Sequence, residues 1–193
     1  MATDPQSTAC MDTDNRLMAT TAWQRCVDFH GHSCPGLAIG FKAVQALEQQ
    51  MGLICGGDEE LVCVTENDAC GVDAVQVLTG CSLGKGNLLY RERGKMAFSF
   101  FNRTSGQQLR MVFKLPVSRT DIGRAALQEM ILNADPSALF TFSQPRFSLP
   151  EKARIFDSET CEHCAESAVE HLIRLHEGKK LCLDCFERYT RGW

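Results

Sequence analysis

Four cysteines near the C-terminus constrain this chain more than any other feature. Cys161-Glu-His-Cys164 and Cys182-Leu-Asp-Cys185 are two C-x2-C pairs with seventeen residues between them, inside the window for a four-cysteine zinc site. Zn2+ takes four soft or borderline donors in a tetrahedron, and each C-x2-C turn presents two thiolates at the required bite. A segment as short as 161–193 cannot bury enough apolar surface to fold unaided, so a structural zinc supplies the folding free energy.

Between the two knuckles, Ala168 to Leu175 and Lys179 to Leu181 read as a hairpin turning at Glu177-Gly178. Cys182 and Cys185 then open a last helix through Phe186 and Tyr189, a pattern that resembles a treble-clef finger. His163, His171 and His176 are spare, because four cysteines already complete the tetrahedron. Residues 161–193 hold 5 basic and 6 acidic side chains. The finger therefore lacks the positive footprint of a nucleic-acid reader, and a structural or protein-docking role is expected.

The full count of cysteines is eleven, seven before residue 82 and four after residue 160. An odd number in a chain without a basic, then apolar, signal segment argues for reduced thiols and a cytoplasmic location rather than a disulfide scaffold. No run of eighteen apolar residues is present, so no membrane span is expected. The net charge of -4 conceals an uneven distribution. Residues 1–84 carry 3 basic and 11 acidic groups, residues 85–124 carry 9 and 2, and residues 125–193 carry 8 and 11. The basic middle, including Lys85 and Arg91, is a candidate site for a small anionic ligand, or else a solvated face paired with acidic neighbours.

Periodicity orders the rest. Residues 1–15 read as a disordered leader, 16–149 as the core domain, 150–160 as a linker and 161–193 as the finger. Leu17 to Phe29 reads as a helix stopping at Gly31, and Cys34 to Met51 as an apolar helix stopped by Gly52. Pro35 suits its first turn, and Ser33 stands near the N-cap. Leu61 to Thr65 is a strand and residues 71–79 a short helix. Met96 to Arg103 and Gln108 to Val117 form a hairpin through Thr104 to Gln107. A helix from Arg119 to Asn133 ends before Pro136, with late strands at Leu139 to Phe142 and Arg154 to Phe156. The expected fold is α+β, a mixed sheet flanked by helices, with a small zinc finger appended.

The chemistry of the core sits in three strings: His30-Gly-His32-Ser-Cys34-Pro-Gly36, Glu66-Asn-Asp68-Ala-Cys70-Gly-Val-Asp73-Ala-Val-Gln76, and Gly80-Cys81-Ser-Leu-Gly84-Lys85-Gly86-Asn87. A thiol at a helix N-terminus meets exposed N–H groups that lower its pKa, which makes Cys34 a candidate thiolate. The glycines after Cys81 lack P-loop spacing.

In combination and order, these strings resemble the FmdE family of formylmethanofuran dehydrogenase proteins, over about Phe29 to Phe100 and again in the appended finger. The resemblance implies an α+β core, a treble-clef finger, a homodimer, and a metal or thiol site near His32, Cys34, Cys70 and Cys81. It also implies an association with molybdenum or tungsten formylmethanofuran chemistry, and a larger dehydrogenase subunit is a candidate partner for the finger to dock. Thiolate with imidazole favours a second zinc, or iron, in the core over magnesium. Cys34 and His32 are the candidate catalytic residues. His30 is a candidate ligand or a supporting partner behind the ligands, and Asp68 and Asp73 are candidates to orient an imidazole from behind. A metal-free reactive thiol and a purely structural cluster remain open alternatives for the same residues. Function divides in the same way among an enzyme, a non-catalytic binding or accessory protein, and a zinc-finger regulator.

Overall fold

Helix α1 (Ala19–His30) turns Ala22 and Cys26 inward and ends where Gly31 takes a left-handed φ of 85°. Helix α2 (Pro35–Met51) is the central element, buried almost continuously from Leu37 to Leu47 and capped by Gly52 at φ 64°. Trp23 of α1 meets Phe41 of α2 edge to face at 5.5 Å. The computed structural model describes residues 19–52, 59–114 and 122–192. The expected leader, Cys10, Cys55 and Arg119 lie outside the described residues.

Strand β1 (Leu61–Thr65), helix α3 (Gly71–Thr79) and strand β2 (Leu88–Tyr90) form a parallel crossover unit. Strands β3 (Ala97–Asn102), β4 (Gln108–Phe113) and β5 (Phe140–Ser143) are antiparallel additions, and the sheet order is β2-β1-β3-β4-β5. Helix α4 (Arg124–Asn133) and the single turn α5 (Pro136–Leu139) separate β4 from β5.

Alternation along the strands divides the side chains between two faces. Cys63, Phe98, Phe100, Met111 and Phe140 pack with α2 and its neighbours in the main core. Val62, Val64 and Phe101 point to the other face, where Leu89 and Phe147 cover them. Phe147 belongs to a strap, residues 144–152. Arg103 ties that strap down, its Nη1 donating to the Pro150 carbonyl at 2.8 Å and its Nη2 to that of Glu151 at 3.1 Å.

The chain divides into compact units between Lys152 and Ala153. In the second unit β6 (Ser158–Thr160) pairs with β7 (Ser167–Val169), and β8 (Arg174–His176) with β9 (Lys179–Leu181). The second hairpin turns at Glu177 and Gly178, both at positive φ.

Several expectations shift. The late strand lies at Ser158–Thr160 and not at Arg154 to Phe156, because Ile155 is fully exposed and only residues from 158 onward find a pairing partner in β7. Residues 186–190 form no helix, since past Phe186 they are exposed and lack an apolar stripe. The helix expected from Arg119 starts at Arg124, after the extended Gly123. β2 is a three-residue strand too short to announce itself by alternation.

Candidate metal centre

The loop 31–34 joins two helix ends, and this concentrates its chemistry. His30 is the last residue of α1, and the Gly31 N–H closes that helix by donating to Val27 O at 2.8 Å. Cys34, not Ser33, is the N-cap of α2. Its backbone is extended and its Sγ accepts from the Leu37 N–H at 3.3 Å, the place usually taken by a serine or aspartate oxygen. Cys34 is 3% exposed.

Donor atoms of His30, His32 and Cys34 all lie within 4.8 Å of one another. The two imidazole rings stand 4.5 Å apart, and His30 Nε2 is 3.9 Å from Cys34 Sγ. The opposite nitrogen, Nδ1, lies 2.6 Å from Asp73 Oδ2. A carboxylate accepts from an N–H there, so in the neutral ring Nε2 is the nitrogen with the lone pair, and it faces the sulfur. The donor set thus fits a thiophilic divalent ion.

Cys70 joins from α3, where it occupies the N-cap position without capping. It is held there by contact between backbones. A Cβ on Gly40 would stand 2.0 Å from Gly71 O, and one on Gly71 would lie 3.0 Å from Gly36 O. These glycines let α2 and α3 touch, and the site of a Cβ on Gly36 is 3.6 Å from Cys70 Sγ and 3.8 Å from Cys34 Sγ. Burial pushes the Cys70 thiol up, and its hydrogen bond with Cys34 adds to the rise.

The other residues singled out by sequence stand elsewhere. Cys81 follows the far end of α3, about 14 Å along that helix from Cys70 at 1.5 Å per residue. It is fully buried, its Sγ donates to Leu61 O at 3.4 Å, and burial raises its pKa. Asp68 is exposed and makes no contact with an imidazole among the described residues. It lines a cavity of about 320 Å3 together with Asp73, Gln76 and Tyr90. Lys85 is exposed beside Gly80 and Cys81, whereas Arg91 lies over the Phe147 ring at 4.6 Å, on the sheet face away from the helices. Sequence reasoning missed the cavity of about 560 Å3 onto which Cys34 opens, whose far wall is Arg124, Gln128 and Asn133 of α4.

In the second unit the four sulfurs of Cys161, Cys164, Cys182 and Cys185 lie within 4.8 Å of one another, with Cys164 and Cys182 3.8 Å apart. Backbone N–H groups, first that of Cys164 and then that of Cys182, pull the Cys161 thiol down to about 6, while burial pushes Cys185 up to about 12. His171 packs on Phe156 and His176 on Phe186, so neither imidazole enters the cluster. All nine described cysteines are free thiols.

Fold and donor sets together define an α+β protein with two clusters of His and Cys side chains that could hold a metal ion, one in the core and one four-cysteine cluster consistent with a zinc finger. The chain belongs to the FmdE family, described as "FmdE, Molybdenum formylmethanofuran dehydrogenase operon", which matches residues 29–145. A tungsten formylmethanofuran dehydrogenase FmdE-like protein from Syntrophus aciditrophicus has the same fold, with a TM-score of 0.63 at 22% identity over 86% of this chain and 90% of that one. A probable S-adenosyl-L-methionine-binding protein from Archaeoglobus fulgidus is 27% identical over 86% of this chain. This chain spans 52% of that relative's length. Among the described residues no helix is long and apolar enough to cross a membrane.

Proposed function

We propose that the core is a metal site serving a small ligand or cofactor in one-carbon metabolism linked to molybdenum or tungsten formylmethanofuran enzymes. The observation that carries this reading is the Asp73–His30–Cys34 arrangement, which presents a nitrogen and a sulfur, with His32 beside them, to one point. Cys34, His30 and His32 are the proposed ligands, with Cys70 as a fourth donor or a neighbouring thiol. A bound zinc or ferrous ion supplies Lewis acidity toward a ligand oxygen. The chain's own groups do the rest. Asp73 holds His30 in one tautomer, the Cys34 sulfur caps the α2 N-terminus by accepting from the Leu37 N–H, and Arg124 across the 560 Å3 cavity attracts an anionic ligand. Reduced thiols at both clusters suit a cytoplasmic protein.

Elemental analysis of the purified full chain tests this. The expected result is two equivalents of metal per chain, falling to one in a His30→Ala/Cys34→Ser variant. One equivalent in the unmodified chain, unaltered by that variant, rejects the core site.

A second reading, an accessory protein that docks a larger dehydrogenase subunit through the finger, is favoured by Leu175 and Tyr189, which the finger leaves 77% and 81% exposed. A homodimer is proposed on family resemblance, and sedimentation measures it.

A further inference from the structure

The basic middle of the chain gathers on the sheet face turned away from the helices. A cavity of about 190 Å3 lies there, walled by Arg91, Arg93 and Lys95 from the β2–β3 connection, by Arg110 from β4, and by Arg146 and Phe147 from the strap. Five cations from three segments face one carboxylate, Glu66.

That carboxylate is already engaged. Glu66 is 4% exposed, and its two oxygens accept from Arg110 Nε at 2.7 Å and Nη2 at 3.0 Å. Among the described residues, Arg91, Lys95 and Arg146 have no carboxylate within 4.0 Å. Held charges of one sign repel each other, and folding alone gives no reason to collect them. These are held by separate anchors: Glu66 fixes Arg110, the Phe147 ring carries Arg91, and Arg103 fastens the strap that brings Arg146. A solvated basic face has no such anchors.

We propose that this cavity binds a diphosphate-class anion, the phosphate-bearing end of a small phosphorylated molecule. Guanidinium forks match phosphate oxygens in pairs, and Lys95 adds a point charge. The Phe147 ring already carries Arg91 at 4.6 Å and packs against Phe101 at 5.7 Å, so its principal contacts are with the protein. Recognition therefore rests on the anion. The site is independent of the core metal, since the sheet separates Arg110 from the helix face on which Cys34 lies.

Calorimetry of the full chain with inorganic pyrophosphate at physiological salt tests the proposal. Saturable binding at one per chain is expected, weakened about tenfold in Arg146→Ala, the loss of one charge-assisted contact, and weakened likewise in Lys95→Ala. Both positions are exposed, so the melting temperature stays that of the parent. Lys85→Ala, outside the cavity, is expected to bind as the parent does. A parallel titration with ADP separates the sources: tighter binding than pyrophosphate identifies a nucleotide ester, and equal binding a free diphosphate. No saturable binding by the parent, or equal weakening by Lys85→Ala, overturns the proposal. So does binding that vanishes in Cys34→Ser while Arg146→Ala retains it, because the anion then sits at the thiol site.

Discussion

His30 Nδ1 lies 2.6 Å from Asp73 Oδ2, a bond across 43 residues that joins the end of α1 to the first turn of α3. It fixes which imidazole nitrogen faces Cys34. An Asp73→Asn substitution keeps the shape but lets the side chain present an N–H to Nδ1, which favours the wrong tautomer. Metal affinity at the core site is expected to fall about 10- to 100-fold, with the fold intact. Competition against a chromophoric chelator measures it, and undiminished affinity would show that Asp73 does not orient a ligand.

Contact between α2 and α3 makes a second expectation. Gly40→Ala places a methyl 2.0 Å from Gly71 O, and the backbone on both sides has no flexible end that can yield. Overpacking of this kind costs about 2 kcal/mol or more, a fall of roughly 6 °C in melting temperature for a domain of this size. Gly84→Ala, with nothing within 4 Å, serves as the control and is expected to leave the melting temperature unchanged. Parting α2 from α3 also draws Cys70 away from Cys34, so Gly40→Ala is expected to slow disulfide formation between these two thiols under mild oxidant.

Local spacing explains what could be read before folding. The two C-x2-C pairs are self-contained, and Cys34 before Pro35 declares a helix start whatever surrounds it. The rest of the site depends on distant contacts. Cys70 and Cys81 are alike in sequence, each beside a glycine at one end of the same helix, and only the end distinguishes them. The signal that separates them was present as Gly36, Gly40 and Gly71, residues that weaken a helix and are explained only by close approach. Asp73 was nameable as a carboxylate behind an imidazole, but its partner was set by how α1 packs on α3. The basic stretch was visible as charge, while Arg146 came to it only through the strap.

The finger leads to a chelation experiment. Among the described residues of the finger, only Cys161, Leu181 and Cys182 are buried in its cluster, far too little apolar surface to hold this unit together without the four-thiolate site. Cys182→Ser, or a strong chelator, is expected to expose this segment to protease while β1 to β5 stay protected. Mass spectrometry of the fragments reads the outcome. A finger that resists cleavage after metal removal would mean that packing alone folds it.

Acid stability follows from Glu66 and Arg110. The hydrogen bond from Arg110, together with the charges of Arg110, Lys95 and Arg91, holds the Glu66 carboxyl below its ordinary value against the opposing effect of burial. A depressed native pKa means that the unfolded chain binds this proton first as pH falls. The pair's contribution is therefore complete above the ordinary carboxylate range and is lost as pH drops through the native value. Urea midpoints measured from pH 7 down to pH 3 are expected to fall for the parent. They are expected to fall less steeply for Glu66→Gln, which starts lower because Arg110 is left as a half-buried charge without its partner, a loss of about 3 kcal/mol. A double variant, Glu66→Gln/Arg110→Met, removes that stranded charge and is expected to recover much of the deficit at pH 7 while keeping the shallower acid slope. Parallel acid profiles for parent and Glu66→Gln would place the acid sensitivity in other carboxylates.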